Sequence, residues 1–292
     1  MADSGTATVG ARRGVAVVTD SAACLQPDEA DRLGVTTVPF TLVLDGEVYD
    51  DGALEPADFY RRLRAAKEPP KTAAVAPAAY LEAFRRSGQR QAVCITVSGR
   101  FSATHANALI AARDAEREGI AVRVVDAEYA AMAEGYVVLS AARAAQAGGD
   151  SDSVAAAAAA TIPQVGLVMA LESLDYLARG GRVPRVAAWA ASLIQVRPLV
   201  EFRKREIRLA GRVRTRRRAL QALVDLLARR TAGARRLHLT VHHADAPDDA
   251  AWLLEAARDR LKPASSALSE FTQVMAAHVG PGLVGYAYWQ EE

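Results

Sequence analysis

The segment Ala92 to Val97 (AVCITV) constrains the fold of this chain more than any other. A short, continuous apolar run is typical of a strand buried on both faces, and parallel sheets are built from such strands. Strand patterns lie on either side at Gly14 to Thr19 and Ala121 to Val125, and helix patterns follow at about Ser102 to Arg117 and Ala130 to Ala147. Strands that alternate with helices in this way predict βαβ units and a parallel sheet.

The pattern changes after the polar, glycine-containing stretch Gly148 to Ser153. Domains commonly have about 150 residues, so a chain of 292 residues favours two units. We therefore predict a disordered tail at 1–13, an N-terminal lobe at 14–160 and a C-terminal lobe at 161–292. The strands predicted for the second lobe are Gly166 to Leu171, Leu237 to His243, Phe271 to Ala276 and Val284 to Trp289, with a hairpin of Leu199 to Phe202 and Glu206 to Leu209. The predicted helices are a short one that begins at Leu174 to Leu177 and ends at Gly180-Gly181, Arg214 to Arg230, and Pro247 to Leu261.

Charge and composition exclude several classes of protein. The formal net charge is +2, so no global field would attract nucleic acid or acidic lipid. Cys24 and Cys94 lack the spacing of a metal or redox pair, and their apolar neighbours indicate buried, reduced thiols. The first residues contain no apolar core of a signal peptide, and no apolar run approaches the length of a membrane span. We therefore expect a cytoplasmic protein without stable membrane insertion.

Hydroxyl-bearing residues stand at three junctions between predicted elements. Asp20 and Ser21 follow the first strand, and Thr72 precedes a helix. Ser98 and Ser102 lie between the buried strand and the next helix. Ligands of open parallel sheets bind at the carboxyl ends of strands, where helix N-termini offer free N–H groups. Each residue alone is as readily a cap or a turn residue, but their convergence predicts one rim that binds an acidic small molecule.

Three further residues are candidates for contact with an anion. Arg182 follows the pair Gly180-Gly181, which lets a backbone approach closely, and an arginine there can bind carboxylate or phosphate. His278 stands before a stiff Gly-Pro-Gly turn. Arg214 belongs to the basic run Arg212 to Arg218, which is open to three interpretations: a solvated helix face, a docking site for an acidic partner protein, or a nucleic-acid contact that the near-neutral total charge disfavours.

The alternative to a binding protein is an enzyme. Ser98 or Ser102 with His105 suggests a hydrolase or phosphotransferase, but there is no G-x-S-x-G elbow, and a serine three residues before a histidine at a helix start is more typical of capping. The segment 280–285 (GPGLVG) matches a dinucleotide motif literally but lacks the following helix. Neither a Walker loop nor a metal-ligand cluster is present. We therefore predict no catalytic residues, no cofactor, and a protein that is not an enzyme on its own.

An ordered series of motifs resembles the DegV family over about residues 15–289. Each motif alone is weak, but their succession in one order is specific. The matching segments are Val18-Thr19-Asp20-Ser21, Val38-Pro39-Phe40, Asp45-Gly46, Tyr49 to Gly52, Thr72, Ser102-Ala103-Thr104, Leu174 to Val183, Arg197-Pro198, Arg212 to Leu220 and His278 to Gly282.

The resemblance implies a two-lobed α/β fold, with a parallel-sheet N-terminal lobe and a C-terminal α/β lobe that contains a mixed sheet. It further implies a fatty-acid-binding protein of the bacterial fatty acid kinase system, which serves phospholipid synthesis. A long-chain fatty acid would lie between the lobes as the bound ligand. Its carboxylate would be held by Thr72 and Ser102, with Ser98, Asp20 and Ser21 close by.

The same resemblance implies a partner protein. A separate ATP-dependent kinase subunit would phosphorylate the fatty acid carboxylate. The family positions used for that encounter match Arg182, Arg214 and His278.

This chain departs from the family pattern at several hydroxyl positions. Thr72 is followed by Ala73-Ala74-Val75, so a second hydroxyl and a proline are missing. Ala103 replaces a glycine, Gly99 replaces a common serine, and Asp126-Ala127 stands where Asp-Ser is usual. Fewer hydroxyl groups would weaken carboxylate binding or shift the choice of ligand.

Overall fold

A computed structural model describes residues 14–181, 196–203 and 205–292. The strands of these ranges are β1 (Val15–Asp20), β2 (Val35–Val38), β3 (Thr41–Leu44), β4 (Glu47–Asp50), β5 (Lys71–Ala73), β6 (Gln91–Thr96), β7 (Ala121–Asp126), β8 (Val165–Ala170), β9 (Arg197–Arg203), β10 (Glu206–Val213), β11 (Arg236–His243), β12 (Ser265–Glu270) and β13 (Val284–Glu291). The helices are α1 (Pro27–Leu33), α2 (Pro56–Ala65), α3 (Pro77–Arg86), α4 (Thr104–Arg117), α5 (Ala131–Gln146), α6 (Ser151–Thr161), α7 (Asp175–Gly180), α8 (Arg216–Arg230), α9 (Pro247–Leu261) and α10 (Gln273–Val279). Short 3₁₀ turns occur at Ser21–Ala23 and Ile162–Gln164.

The predicted parallel sheet is confirmed. Four strands lie in the order β2-β1-β6-β7, and all of their pairings are parallel. The apolar run that predicted a doubly buried strand forms the centre of β6, where Ala92, Val93, Cys94 and Ile95 are fully buried. Since β6 has a neighbour on each side, its backbone groups are paired within the sheet.

Several helices of the described residues begin where the sequence places a proline. The helices α1, α2, α3 and α9 each have proline at the first helical position. Proline is favoured there because its missing N–H would have no partner within the helix. The bounds Pro247–Leu261 of α9 are those predicted from the sequence, since the proline fixes the start.

The stretch from Val35 to Leu44 forms two strands rather than one. Pro39 and Phe40 separate β2 from β3. Proline lacks the N–H that a central strand needs, so the chain leaves the parallel sheet at this point. It then forms a small antiparallel sheet in the order β4-β3-β5, and this sheet carries Thr72 on β5.

The C-terminal half contains a six-stranded mixed sheet, as expected. The order is β10-β9-β8-β13-β11-β12, in which the β11–β12 pairing is parallel and the others are antiparallel. The predicted hairpin is confirmed as β9 and β10. One face of this sheet packs on α8 and α9, and the other belongs to the core of the N-terminal half. No helix of the described residues is long and apolar enough to cross a membrane.

Helix α5 joins the two sheets. From Ala131 to Leu139 all of its residues are buried, and it packs against β1 and β6 of one sheet and β8 and β13 of the other. A helix that is apolar on all sides belongs inside a protein. One hydrophobic cluster therefore runs from Val17 to Trp289, and the division into lobes at residue 160 stays a prediction.

The strand predicted at Phe271 to Ala276 is wrong. Residues Gln273–Val279 form helix α10, and the strand of this region is β12, Ser265–Glu270. β12 is an edge strand whose side chains are mostly polar or exposed, so it lacks an apolar alternation. The apolar residues Phe271, Val274 and Ala277 are three apart, a spacing that suits the buried face of a helix.

Candidate functional site

A cavity of about 300 Å³ lies where the small sheet, the β9–β10 hairpin and helix α10 meet. Most of its wall is apolar, and three of its residues carry polar side chains that can bind a ligand: Thr72, Ser102 and His278. The full lining is Ala22, Phe40, Thr72, Ala74, Val97, Phe101, Ser102, Ala103, Ala130, Met169, Leu177, Phe202, Ile207, Val274, Met275, His278 and Val279. The structure thus brings together two of the residues predicted for the head-group site, Thr72 and Ser102, with His278, which was predicted for the kinase encounter.

Thr72 and His278 form a direct contact within this wall. The side-chain oxygen of Thr72 lies 3.0 Å from Nε2 of His278, and both side chains are half-buried. Thr72 is placed by the pairing of β5 with β3, opposite Leu42. His278 is placed by the last turn of α10. The pair is a hydroxyl and an imidazole that can share one proton, and both can hydrogen-bond an acidic ligand.

Ser102 supports the start of α4. Its Oγ lies 2.8 Å from Oγ1 of Thr104 and accepts the Thr104 N–H at 3.2 Å. A serine hydroxyl that accepts the N–H two residues further on forms a local turn, here just before the N-cap residue Ala103. The turn and the cavity wall are therefore formed by the same serine, which stays half-buried.

The structure does not place Asp20 in the cavity wall. Its side chain is fully buried, where Oδ2 accepts the Val97 N–H at 2.9 Å and the Tyr80 hydroxyl at 3.3 Å. Oδ1 accepts the Ala22 N–H at 3.1 Å. Burial raises the pKa of Asp20 to about 7, against the effect of these hydrogen bonds. The residue fixes the backbone of Ala22 and Val97, which do line the cavity.

Ser21 and Ser98 are likewise absent from the wall and have other partners. Ser21 Oγ donates to Asp51 at 2.6 Å and accepts the Phe40 N–H at 3.1 Å. Ser98 is fully buried, and its Oγ accepts the Arg100 N–H at 3.4 Å. Direct contact of Asp20, Ser21 or Ser98 with a ligand is therefore not supported by their positions, and all three hold the loops behind the wall.

Of the two arginines predicted from the sequence, Arg182 lies outside the described residues. Arg214 is exposed, directly after β10, and does not line the cavity. Its neighbour Arg216 bonds Asp249 at 2.6 Å and the carbonyl of Gly282, in the glycine-rich turn that follows His278. That contact ties the start of the basic helix to the turn beside the cavity.

The hydrolase alternative lacks the contact that it requires. Ser102 bonds Thr104, whereas His105 Nδ1 lies 3.1 Å from the hydroxyl of Thr96. A serine nucleophile needs its base within hydrogen-bond reach. His238, His242 and His243 lie on β11 and are buried, as expected of structural histidines.

Sequence reasoning missed the aromatic wall of the cavity and a buried acid behind it. Phe101 and Phe202 contact each other edge to face, with ring centroids 5.3 Å apart. Glu134 is fully buried in α5, where Oε1 accepts from Thr19 at 3.4 Å and Oε2 has no hydrogen-bond partner among the described residues. Burial, with the nearby charge of Asp20, raises the pKa of Glu134 well above its usual range. The sequence did contain a signal for this buried acid, because Glu134 is a single glutamate within an otherwise apolar stretch of helix.

Comparison with known proteins identifies the family. The model of the DegV family, described as uncharacterised proteins, matches residues 14–291. The chain belongs to the DegV family. A DegV domain-containing protein of Streptomyces coelicolor is 36% identical over 277 residues, which cover 94% of this chain and 97% of that protein.

Solved DegV structures share the fold. A DegV protein of Thermus thermophilus, described as binding fatty acid, matches with a TM-score of 0.88 and 24% identity, over 95% of this chain and 100% of that one. A stearic acid-binding protein of Eubacterium ventriosum matches with a TM-score of 0.86 and 22% identity, over 94% and 98% of the two chains. The two-lobed DegV fold expected from the sequence is therefore confirmed, and at these identities the likeness shows the fold alone.

Proposed function

We propose that this DegV protein binds a long-chain fatty acid in the cavity, with the carboxylate at Thr72, Ser102 and His278. The observation that carries the proposal is an apolar cavity whose lining, among the described residues, includes two alcohols and an imidazole but no carboxylate, lysine or arginine. Such a wall suits a ligand with a long apolar body and one small anionic end. The fatty acids bound by relatives of the same fold agree with this.

The acyl chain and the carboxylate are expected to contribute differently to the free energy of binding. Each methylene buried from water contributes about 0.8 kcal/mol, so a long chain supplies most of the gross affinity. A hydrogen bond to a charged group contributes about 1.5–3 kcal/mol. Association itself costs about 4–15 kcal/mol, which a short chain would not offset. Thr72 and Ser102 therefore mainly determine the orientation of the ligand, that is, which of its ends faces them.

Neutral donors also affect how readily the bound carboxylate can react. A bidentate arginine would hold a carboxylate firmly, whereas hydroxyl groups leave its oxygens available to react. We infer that the protein is not an enzyme on its own and presents the carboxylate to a separate ATP-dependent fatty acid kinase subunit in the bacterial cytoplasm. His278 at the cavity and the exposed Arg214 are the described candidates for that encounter, with Arg182 as a further candidate from the sequence.

Native mass spectrometry of the purified protein, followed by lipid extraction, tests the binding step. We expect one fatty acid per chain, and less retained acid in Thr72→Val and Ser102→Ala. Thr36→Val is the matched control, because Thr36 is an exposed threonine on β2, outside the cavity. Undiminished lipid in both cavity variants would remove these hydroxyls from the head-group role, and absence of any bound acid would contradict the proposal.

The presentation step needs its own experiment. Loaded protein, ATP and a purified bacterial fatty acid kinase subunit should yield acyl phosphate, and omission of the subunit should abolish the reaction. Arg214→Ala should lower the rate while retained lipid stays constant. Turnover by the loaded protein without the subunit would favour an enzyme instead.

A further inference from the structure

Phe202 is shared by two separate depressions of the surface. It lines the apolar cavity described above, and it also lines an outer groove of about 830 Å³. Among the described residues, Phe202 alone lines both spaces. The residue therefore lies at the boundary between them. The outer groove is bounded by Ala159, Ile162, Val165, Val168, Glu201 and Tyr288, among others.

The position of Phe202 is fixed by the sheet and by one aromatic neighbour. It lies on β9, opposite Leu167 of β8. Its ring meets Phe101 edge to face, and 8% of the residue is exposed. A buried aromatic ring held from two sides is a firm wall, because protein interiors are close-packed and leave no room for it to turn aside freely.

The groove is lined by other elements than those that carry Thr72 and His278. Its described lining comes from α6, the turn Ile162–Gln164, strands β8, β9 and β13, helix α8 and the loop after β7. None of these elements carries Thr72, which lies on β5, or His278, which lies on α10. A ligand anchored at that pair would therefore reach the groove with its far end.

We infer that Phe202 sets the upper length of the acyl chain by closing the cavity against this groove. This inference rests on the proposed function. It specifies which fatty acids the protein excludes, namely those whose acyl chains are longer than the cavity can hold. Removal of the phenyl ring would join the two spaces. Longer chains would then extend along the apolar part of the groove, beside Ile162, Val165 and Val168.

The test is a titration of lipid-free protein with saturated fatty acids of increasing length. In Phe202→Ala the affinity for chains beyond the wild-type optimum should rise about fourfold for each added methylene, the value of one buried methylene. Ile207→Ala is the matched control, because Ile207 lies on the same hairpin and lines the cavity but not the groove. It should enlarge the cavity without moving the optimum to longer chains.

A second variant blocks the groove from its outer wall. Ala159 is exposed on α6, so Ala159→Phe can be made without a clash in the core. In the Phe202→Ala background it should cancel the gain for long chains, and alone it should leave binding unchanged. Phe202→Leu serves if the alanine variant fails to fold, and it should give a smaller shift in the same direction.

Three results would overturn the inference: an unchanged optimum in folded Phe202→Ala and Phe202→Leu, an equal shift in Ile207→Ala, or a gain that survives Ala159→Phe. Failure of the proposed function is distinguishable from these. In that case the wild-type protein would bind no fatty acid of any length.

Discussion

The side-chain oxygen of Thr72 lies 3.0 Å from Nε2 of His278, a contact between residues 206 positions apart in the sequence. It joins the edge of the small antiparallel sheet to the last turn of α10. Each partner limits the orientation of the other, so an incoming acid meets two groups already directed into one space. A preorganised pair of this kind reduces the entropy lost on binding.

We expect Thr72→Val and His278→Ala to be coupled. Each should weaken fatty acid binding, the threonine change by about tenfold or more, since one hydrogen bond to a charged group is lost. The double variant should lose less than the product of the two single losses, because the two residues are in contact. Equilibrium binding of one fatty acid to all four proteins measures the coupling. Strictly multiplicative losses would show that the two side chains act independently.

An ion pair joins the tip of the β9–β10 hairpin to the loop after β7. Arg205 binds Glu128 at 2.7 Å and lies 3.7 Å from Asp126. Half-exposed ion pairs contribute about 0.2–1 kcal/mol. Arg205→Glu should therefore speed the release of bound fatty acid by no more than about fivefold, and the effect should shrink at high salt.

The charge swap separates this ion pair from other effects of the hairpin. Arg205→Glu combined with Glu128→Arg should return the release rate towards the wild-type value at low salt. Stopped-flow displacement of a fluorescent fatty acid measures all three variants. A double variant that releases lipid faster than the single one would contradict the role of the pair.

The parallel sheet and the hairpin could be predicted because their signals are local. The run from Ala92 to Val97 is apolar except for Thr96 and is buried throughout, as a strand covered on both faces requires. β12 could not be predicted, because an edge strand is stabilised by its one neighbour, β11, and its own side chains stay largely in water. The same polar pattern therefore fits a loop.

The functional site, like the fold, could be predicted from the sequence only in part. Thr72, Ser102 and His278 were found from motifs, whereas the contact of Thr72 with His278 depends on the packing of β5 near α10 and has no local signal. Asp20 and Ser21 belong to an equally suggestive motif, but their side chains hydrogen-bond with Tyr80 and Asp51, respectively. A hydroxyl or carboxyl at a strand end indicates that a loop is held in place there, and only the fold decides whether it also meets a ligand.

Removal of the fatty acid should destabilise the protein. A ligand that binds the folded state alone stabilises it by about 2.7 kcal/mol when its free concentration is 100 times its Kd. We expect the delipidated protein to melt at a lower temperature and to recover when a long-chain fatty acid is added. The methyl ester of the same acid should restore less, because it cannot offer a charged carboxylate to Thr72 and Ser102. Equal recovery with acid and ester would contradict a head-group site.

The buried Glu134 should make stability fall as the pH rises. Burial, aided by the charge of Asp20, raises the pKa of Glu134 in the folded protein well above the value of 4.5 that applies to the unfolded chain. Above that value the unfolded chain releases the proton while the folded protein keeps it. The free energy of unfolding then falls by about 1.4 kcal/mol for each pH unit, until the folded-state pKa is reached. Glu134→Gln has no such proton to lose, and its side-chain oxygen can still accept from Thr19.

The stability of Glu134→Gln relative to the wild type should therefore increase from acidic to neutral pH, as measured by urea unfolding at a series of pH values. Glu118→Gln is the control of opposite sign. Glu118 is exposed and its pKa is lowered by hydrogen bonds from Arg85, so its contribution is present above its usual pKa and is lost in acid. A pH-independent difference for Glu134→Gln would mean that this carboxyl is already ionised in the folded protein.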